Sequence, residues 1–105
     1  MSALFGEDLL AELLAISQSS VHRYRSKERA TPDPIADRLH FLALVVSDLA
    51  GSYNDFGIRR WFVRKRTALD SQSPAQVLSK DWSSDDVEAQ RVRDLSSALL
   101  SSGAT

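Results

Sequence analysis

Between Asp33-Pro34 and Gly51, the apolar residues Ile35, Leu39, Leu42, Val45, Val46 and Leu49 recur at steps of three and four, and Phe41 and Leu44 widen the stripe. Such spacing predicts an α-helix, because a strand would send every second residue to the opposite face. Asp33 is placed to cap it, Pro34 costs nothing at a first helical position whose N–H has no partner anyway, and Gly51 ends it. A face this wide needs cover on more than one side, so the helix either forms the centre of a small bundle or is shared with a partner. With 105 residues, 43% of them hydrophobic, the chain can surround it with one modest continuous core but not with two independent domains.

The same composition excludes several classes. There is no cysteine, which removes disulfides and thiolate zinc sites. The longest apolar run, Phe41 to Val46, is far below the roughly 20 residues that span a bilayer, and the start Met-Ser-Ala-Leu-Phe-Gly-Glu has no basic region before an apolar stretch. A cytoplasmic protein with no membrane contact is the expectation. The net charge of −1 argues against indiscriminate nucleic-acid binding, but the charge is segregated. Arg23, Arg25, Lys27 and Arg29 form one basic concentration and Arg59, Arg60, Arg64, Lys65 and Arg66 another, while acids gather at 7 to 12 and 81 to 94.

Elsewhere the pattern stays helical, with no repeat and no reliable strand alternation. After a turn-rich connection from Ser52 to Gly57, helical spacing resumes through Ile58, Trp61, Phe62 and on to Leu69. Trp61 and Phe62 should turn inward and leave the arginines around them on a solvated face. Pro74 opens a short helix through Val77-Leu78, and a last helix is expected from Ser83 or Ser84, with Asp85 and Asp86 at the positive end of its dipole. Val87, Val92, Leu95 and Leu99 supply its apolar side, and Ser101 to Thr105 form a tail. Trp61, Leu69, Leu78 and Leu95 are expected in the shared core.

Toward the N-terminus, Leu10, Leu13 and Leu14 repeat at helical spacing, Ile16 closes a turn, Ser17 can cap a following helix, and Val21 and Tyr24 can pack that helix inward. Gln18, Ser19, Ser20, His22, Arg23, Arg25 and Lys27 are left outward, a donor-rich set of the kind that base edges and phosphates require. The spacing resembles the Xre or Cro-repressor class of helix-turn-helix, which places its second helix in the major groove of DNA. Three features depart from that class. Met1 to Gly6 is too short for the helix that normally comes first, Ala15 stands where glycine is usual in the turn, and Lys27-Glu28-Arg29 replaces the glycine after the reading helix. Tyr24 in place of the usual Trp is a mild change.

The second half has its own pattern: Ile58-Arg59-Arg60-Trp61-Phe62, Ala68-Leu69, Ser73-Pro74-Ala75-Gln76-Val77-Leu78, and a last helix running into Leu99-Leu100-Ser101-Ser102-Gly103. It resembles the toxin-binding domain of the Xre/MbcA/ParS antitoxin family, with Trp61, Leu69, Pro74 and Leu78 at compatible spacing. The resemblance covers almost the whole chain, and the two modules stand in the family's order: a helix-turn-helix-like region with the central helix over 1–51, then a toxin-binding helical region over 52–105. It implies an all-α bundle and an antitoxin of a type II toxin–antitoxin system. The implied partner is a RES-domain toxin that consumes NAD, with operator DNA as a further partner for autorepression and a homodimer, or a hetero-oligomer with the toxin, as the assembly. Leu99, Leu100, Ser101, Ser102 and Gly103 match the family's closing segment and are the candidates for occluding the toxin's cofactor cleft.

Other chemistry finds little footing. No nucleophile elbow, phosphate loop or His-carboxylate motif is present, so neither catalysis nor a cofactor is expected. His22 and His40 lack metal-ligand spacing, and the acids Asp85, Asp86 and Glu88 are explained by the first turn of a helix. The alternatives to the antitoxin reading are a stand-alone helix-turn-helix transcriptional regulator and an oligomerisation module built on the Leu39 to Leu49 face.

Overall fold

A computed structural model describes residues 2–27 and 30–102. The fold is all-α. Its helices are α1 (Ser2–Phe5), α2 (Glu7–Leu14), α3 (Gln18–Arg25), α4 (Asp33–Ala50), α5 (Asp55–Val63), α6 (Pro74–Val77) and α7 (Val87–Ser102), with a 3₁₀ turn at Thr67–Leu69. Among the described residues the only β pairing is an isolated antiparallel bridge between Arg66 and Gln72. No described helix is long and apolar enough to cross a membrane.

The long apolar stripe makes α4 the axis of the bundle, packed against α2, α5 and α7. Ile35, Phe41, Leu42, Val45 and Leu49 are buried, Leu39 and Val46 are half-buried, and Leu44 lies at the exposed edge. The helix starts differently from expectation. Pro32 is its N-cap residue, with its carbonyl accepting from Ile35 and Ala36 N–H at 3.0 and 2.9 Å; Asp33 is already inside the first turn and makes no side-chain cap. α7 runs alongside α4 in the same direction, since Gln90 and Arg93 flank Phe41 and Leu44 while Ser96 meets Asp48.

Ahead of α2, Ser2–Phe5 form a single helical turn, α1. Phe5 on that turn is buried edge-on against Phe62, with ring centroids 5.1 Å apart. One buried cluster extends from Phe5 through Leu13, Leu42, Trp61, Phe62, Leu69 and Leu78 to Val92.

Two expected helices have other limits. α5 begins at Asp55, inside what reads as a connection, because the Asn54 side chain accepts from Gly57 N–H at 2.9 Å. Gly57 then has a steric role, as a Cβ there would lie 3.0 Å from Tyr53. The helix stops at Val63 instead of continuing to Leu69, since Arg64 is extended and Arg66 N–H donates to Gln72 carbonyl at 3.0 Å, folding the intervening residues into the 3₁₀ turn. Asp70 and Ser71 complete that reversal in the left-handed region, at φ 56° and 66°. A capping box between Ser73 and Gln76 then starts α6, with Pro74 in its first turn.

α7 begins at Val87, later than Ser83 or Ser84. The Asp86 carboxylate accepts from Ser83 N–H and Oγ at 3.0 and 3.3 Å, closing a turn, and the first helical bond goes from Gln90 N–H to Asp86 carbonyl at 2.9 Å. Val87 is therefore 64% exposed rather than an anchor. Ala89, Val92 and Ser96 are the buried positions, and Leu95, expected in the core, is half-buried beside Leu99.

Candidate functional site

The turn between α2 and α3 is closed with unusual completeness. A helix leaves its last four carbonyls without intrahelical partners. In α2 two of them are met by backbone: Ala15 N–H donates to Glu12 at 3.1 Å and Ile16 N–H to Ala11 at 3.0 Å, a Schellman closure with Ala15 left-handed at φ 57°. The other two are met from far along the chain. Trp82 Nε1 donates to Leu13 carbonyl at 2.9 Å, and Arg38 Nη1 donates to Leu14 carbonyl at 2.7 Å.

Arg38 is only 6% exposed although charged. Its Nε donates to Trp82 carbonyl at 2.6 Å and its Nη2 pairs with the Asp81 carboxylate, while its guanidinium sits 5.7 Å from the Trp82 ring centroid. Trp82 in turn packs edge-on to Phe41 at 5.0 Å. Each guanidinium nitrogen thus has an acceptor, the condition under which a buried cation is tolerated. The orientation of the α2–α3 hairpin is fixed by α4 and by the loop that leads into α7.

α3 is seated by Ser17, whose Oγ accepts from Ser20 N–H at 3.1 Å, by the buried Val21 and by the half-buried Tyr24. Gln18, Ser19, His22, Arg25 and Lys27 are exposed, and Ser20 and Arg23 are half-buried. The candidates for DNA contact therefore lie together on this helix and just after it, but two of the cations are engaged. Arg23 Nη2 donates to Ser20 Oγ at 3.3 Å, and Arg25 pairs with Glu7 at 2.9 Å. Lys27 adopts φ 63°, the conformation that the missing glycine would take without strain. Arg29 lies outside the described residues.

At the far end of the bundle, Ser96 Oγ donates to the buried Asp48 carboxylate at 2.9 Å, and Arg93 Nη1 lies 3.4 Å from the same oxygen. α4 ends two residues past Asp48, at Ala50, while α7 continues six residues past Ser96, to Ser102. At about 1.5 Å per residue, α7 outruns its neighbour by roughly a turn. Leu99 is half-buried at this overhang and Leu100 is 56% exposed. Of the other candidates for toxin contact, the side chains of Ser101 and Ser102, and Gly103 entirely, lie outside the described residues.

The second basic concentration divides because α5 ends early. Arg59 and Arg60 are exposed on the helix, Arg64 and Lys65 are exposed on the extended strand-like segment after it, and Arg66 folds back. Its guanidinium lies 4.7 Å from the Trp61 ring centroid, and Nη2 donates to Trp61 carbonyl at 3.3 Å. Burial lowers the Arg66 pKa from the ordinary arginine value, Tyr53 opposes that shift and Arg64 adds to it. Trp61 and Phe62 are buried. His22 and His40 are both exposed, and no group of three or more metal-ligating side chains occurs among the described residues.

Arg38, Asp48 and Trp82 are the positioning residues that reading the sequence missed. Arg38 and Asp48 had a signal, each being a charge set among the apolar positions of α4. Trp82 had only its size, standing in a polar loop with no periodicity to place it. The chain matches no protein-family model, no curated protein and no solved structure.

Proposed function

We propose that this chain is the antitoxin of a type II toxin–antitoxin pair, which binds and neutralises a RES-domain, NAD-consuming toxin and uses its helix-turn-helix-like hairpin to bind the operator of its own operon. The observation that carries the reading is the overhang of α7. The segment that resembles the closing element of Xre/MbcA/ParS antitoxins runs past the end of α4 with Leu100 in solvent. Trp61, Leu69, Pro74 and Leu78, which carry the rest of that resemblance, are all buried in the same bundle. An exposed leucine on an otherwise uncharged helix end suits insertion into an apolar cleft, and the serine hydroxyls that follow suit donors and acceptors that otherwise hold NAD. In this reading the chain acts by binding.

Co-expression with the product of the adjacent gene tests the pairing. A stoichiometric complex that survives size-exclusion chromatography, with NAD consumption suppressed, is the expected result; two separately eluting proteins would remove the proposal.

A stand-alone DNA-binding regulator is the second reading, favoured by the closed α2–α3 turn and the exposed Gln18, Ser19 and His22. Under it the hairpin binds a specific duplex with a salt-dependent affinity, and no toxin complex forms.

A further inference from the structure

The outer face of α5 is apolar and basic at once. Phe56 is 64% exposed and Val63, seven residues on, is 55% exposed. Arg59 and Arg60 stand between them, the half-buried Leu9 of α2 borders the same shallow hollow, and Arg64 and Lys65 extend the positive charge beyond it. None of these four cations takes part in an ion pair among the described residues. Apolar residues at i and i+7 rimmed by arginines form the kind of face that anchors a partner, aromatic and arginine side chains being the groups most often responsible for binding energy.

The chain carries the complement of this face on its own surface. Val87, exposed at the start of α7, is flanked by Asp85, Asp86 and Glu88, all exposed. Asp86 is occupied by its turn with Ser83, but Asp85 and Glu88 enter no ion pair among the described residues. One patch is therefore apolar with a positive rim, the other apolar with a negative rim, and they lie on different elements.

We propose that the α5 face is a self-association surface on which a second copy of this chain seats the acidic start of its α7, Val87 meeting Phe56 and Val63 while Asp85 and Glu88 meet Arg59 and Arg60. The contact joins two unlike patches, so it is either exchanged reciprocally in a two-fold dimer or repeated head to tail, closing as a ring or running on as an open chain. Its charged rim is exposed on both sides, so association weakens with salt. It does not depend on the antitoxin reading.

Charge reversal in trans tests it. Sedimentation velocity on the full chain, from low micromolar to near-millimolar concentration at low ionic strength, should show the weight-average mass rising with concentration and falling back on adding salt. Arg59→Glu with Arg60→Glu in one variant, and Asp85→Lys with Glu88→Lys in another, should each weaken association at least tenfold, and unchanged thermal melts would show both variants folded. An equimolar mixture should associate again, because the reversed α5 face of the first variant then matches the reversed α7 start of the second. A wild-type chain that stays monomeric throughout, association indifferent to either reversal, or a mixture that stays monomeric overturns the proposal. So does a result in which the Arg59 and Arg60 reversal leaves self-association intact and abolishes binding to a toxin, which would assign the face to that partner instead.

Discussion

Two arginine–tryptophan junctions hold this small bundle together in different ways. Arg38 and Trp82 are contributed by residues 44 apart in sequence, are both buried, and between them close the carbonyl end of α2. Arg66 and Trp61 are five residues apart, and their single hydrogen bond, at 3.3 Å, is long. In the first junction the cation replaces lost hydration with a full set of acceptors, so it works as a long-range tie. In the second it covers a ring, remains partly solvated and secures only the turn out of α5. Buried charge therefore carries structural weight here according to how far apart are the elements it joins.

Removing the guanidinium breaks the contrast most strongly. Arg38→Met leaves Leu14 and Trp82 carbonyls without their charged donor; at about 1.5–3 kcal/mol for each hydrogen bond to a charged group the loss should be about 3–5 kcal/mol, read as a large fall in the urea midpoint. Trp82→Phe retains most of the ring contact with Phe41 but orphans Leu13 carbonyl, for an expected loss of about 1–3 kcal/mol. Arg66→Met should cost about 1 kcal/mol or less, since a partly exposed cation–π contact is a small term. If Arg66→Met destabilised as much as Arg38→Met, the distinction between tie and cover would fail.

The smallest effects have the opposite sign. Ser71 and Ala15 each hold a left-handed conformation, one beside each junction. Ser71→Gly and Ala15→Gly relieve that strain while loosening the unfolded chain, so each should raise stability by about 0.5–1 kcal/mol, visible as a melting temperature a few degrees higher.

What was legible in the sequence is what a few neighbouring residues decide. Ser17 caps α3, Pro74 opens α6 and the stripe from Ile35 to Leu49 builds the central helix because each is local chemistry. The end of α5 at Val63 was not legible, since it depends on Arg66 pairing its backbone with Gln72 across an apolar run that otherwise continues to Leu69. The start of α7 likewise depends on Asp86 turning back to Ser83. Trp82 was hidden for a different reason. Its hydrogen bond spans 69 residues, and no periodicity announces a contact at that range. Of the candidate sites, the hairpin residues from Gln18 to Lys27 gather on one helix and just after it, but sequence alone did not reveal that Arg25 is held by Glu7 and Arg23 by Ser20.

The α7 overhang carries the functional proposal, and deleting Leu100 to Thr105 isolates it. The core anchors Ala89, Val92 and Ser96 remain, so the shortened chain should fold with a nearly unchanged melting temperature. NAD consumption by the toxin, measured with equal amounts of full-length and shortened chain, is the decisive reading. The proposal predicts that the shortened chain still binds the toxin through its body but loses most of its inhibition. Equal inhibition by both forms would contradict it and assign neutralisation to another surface.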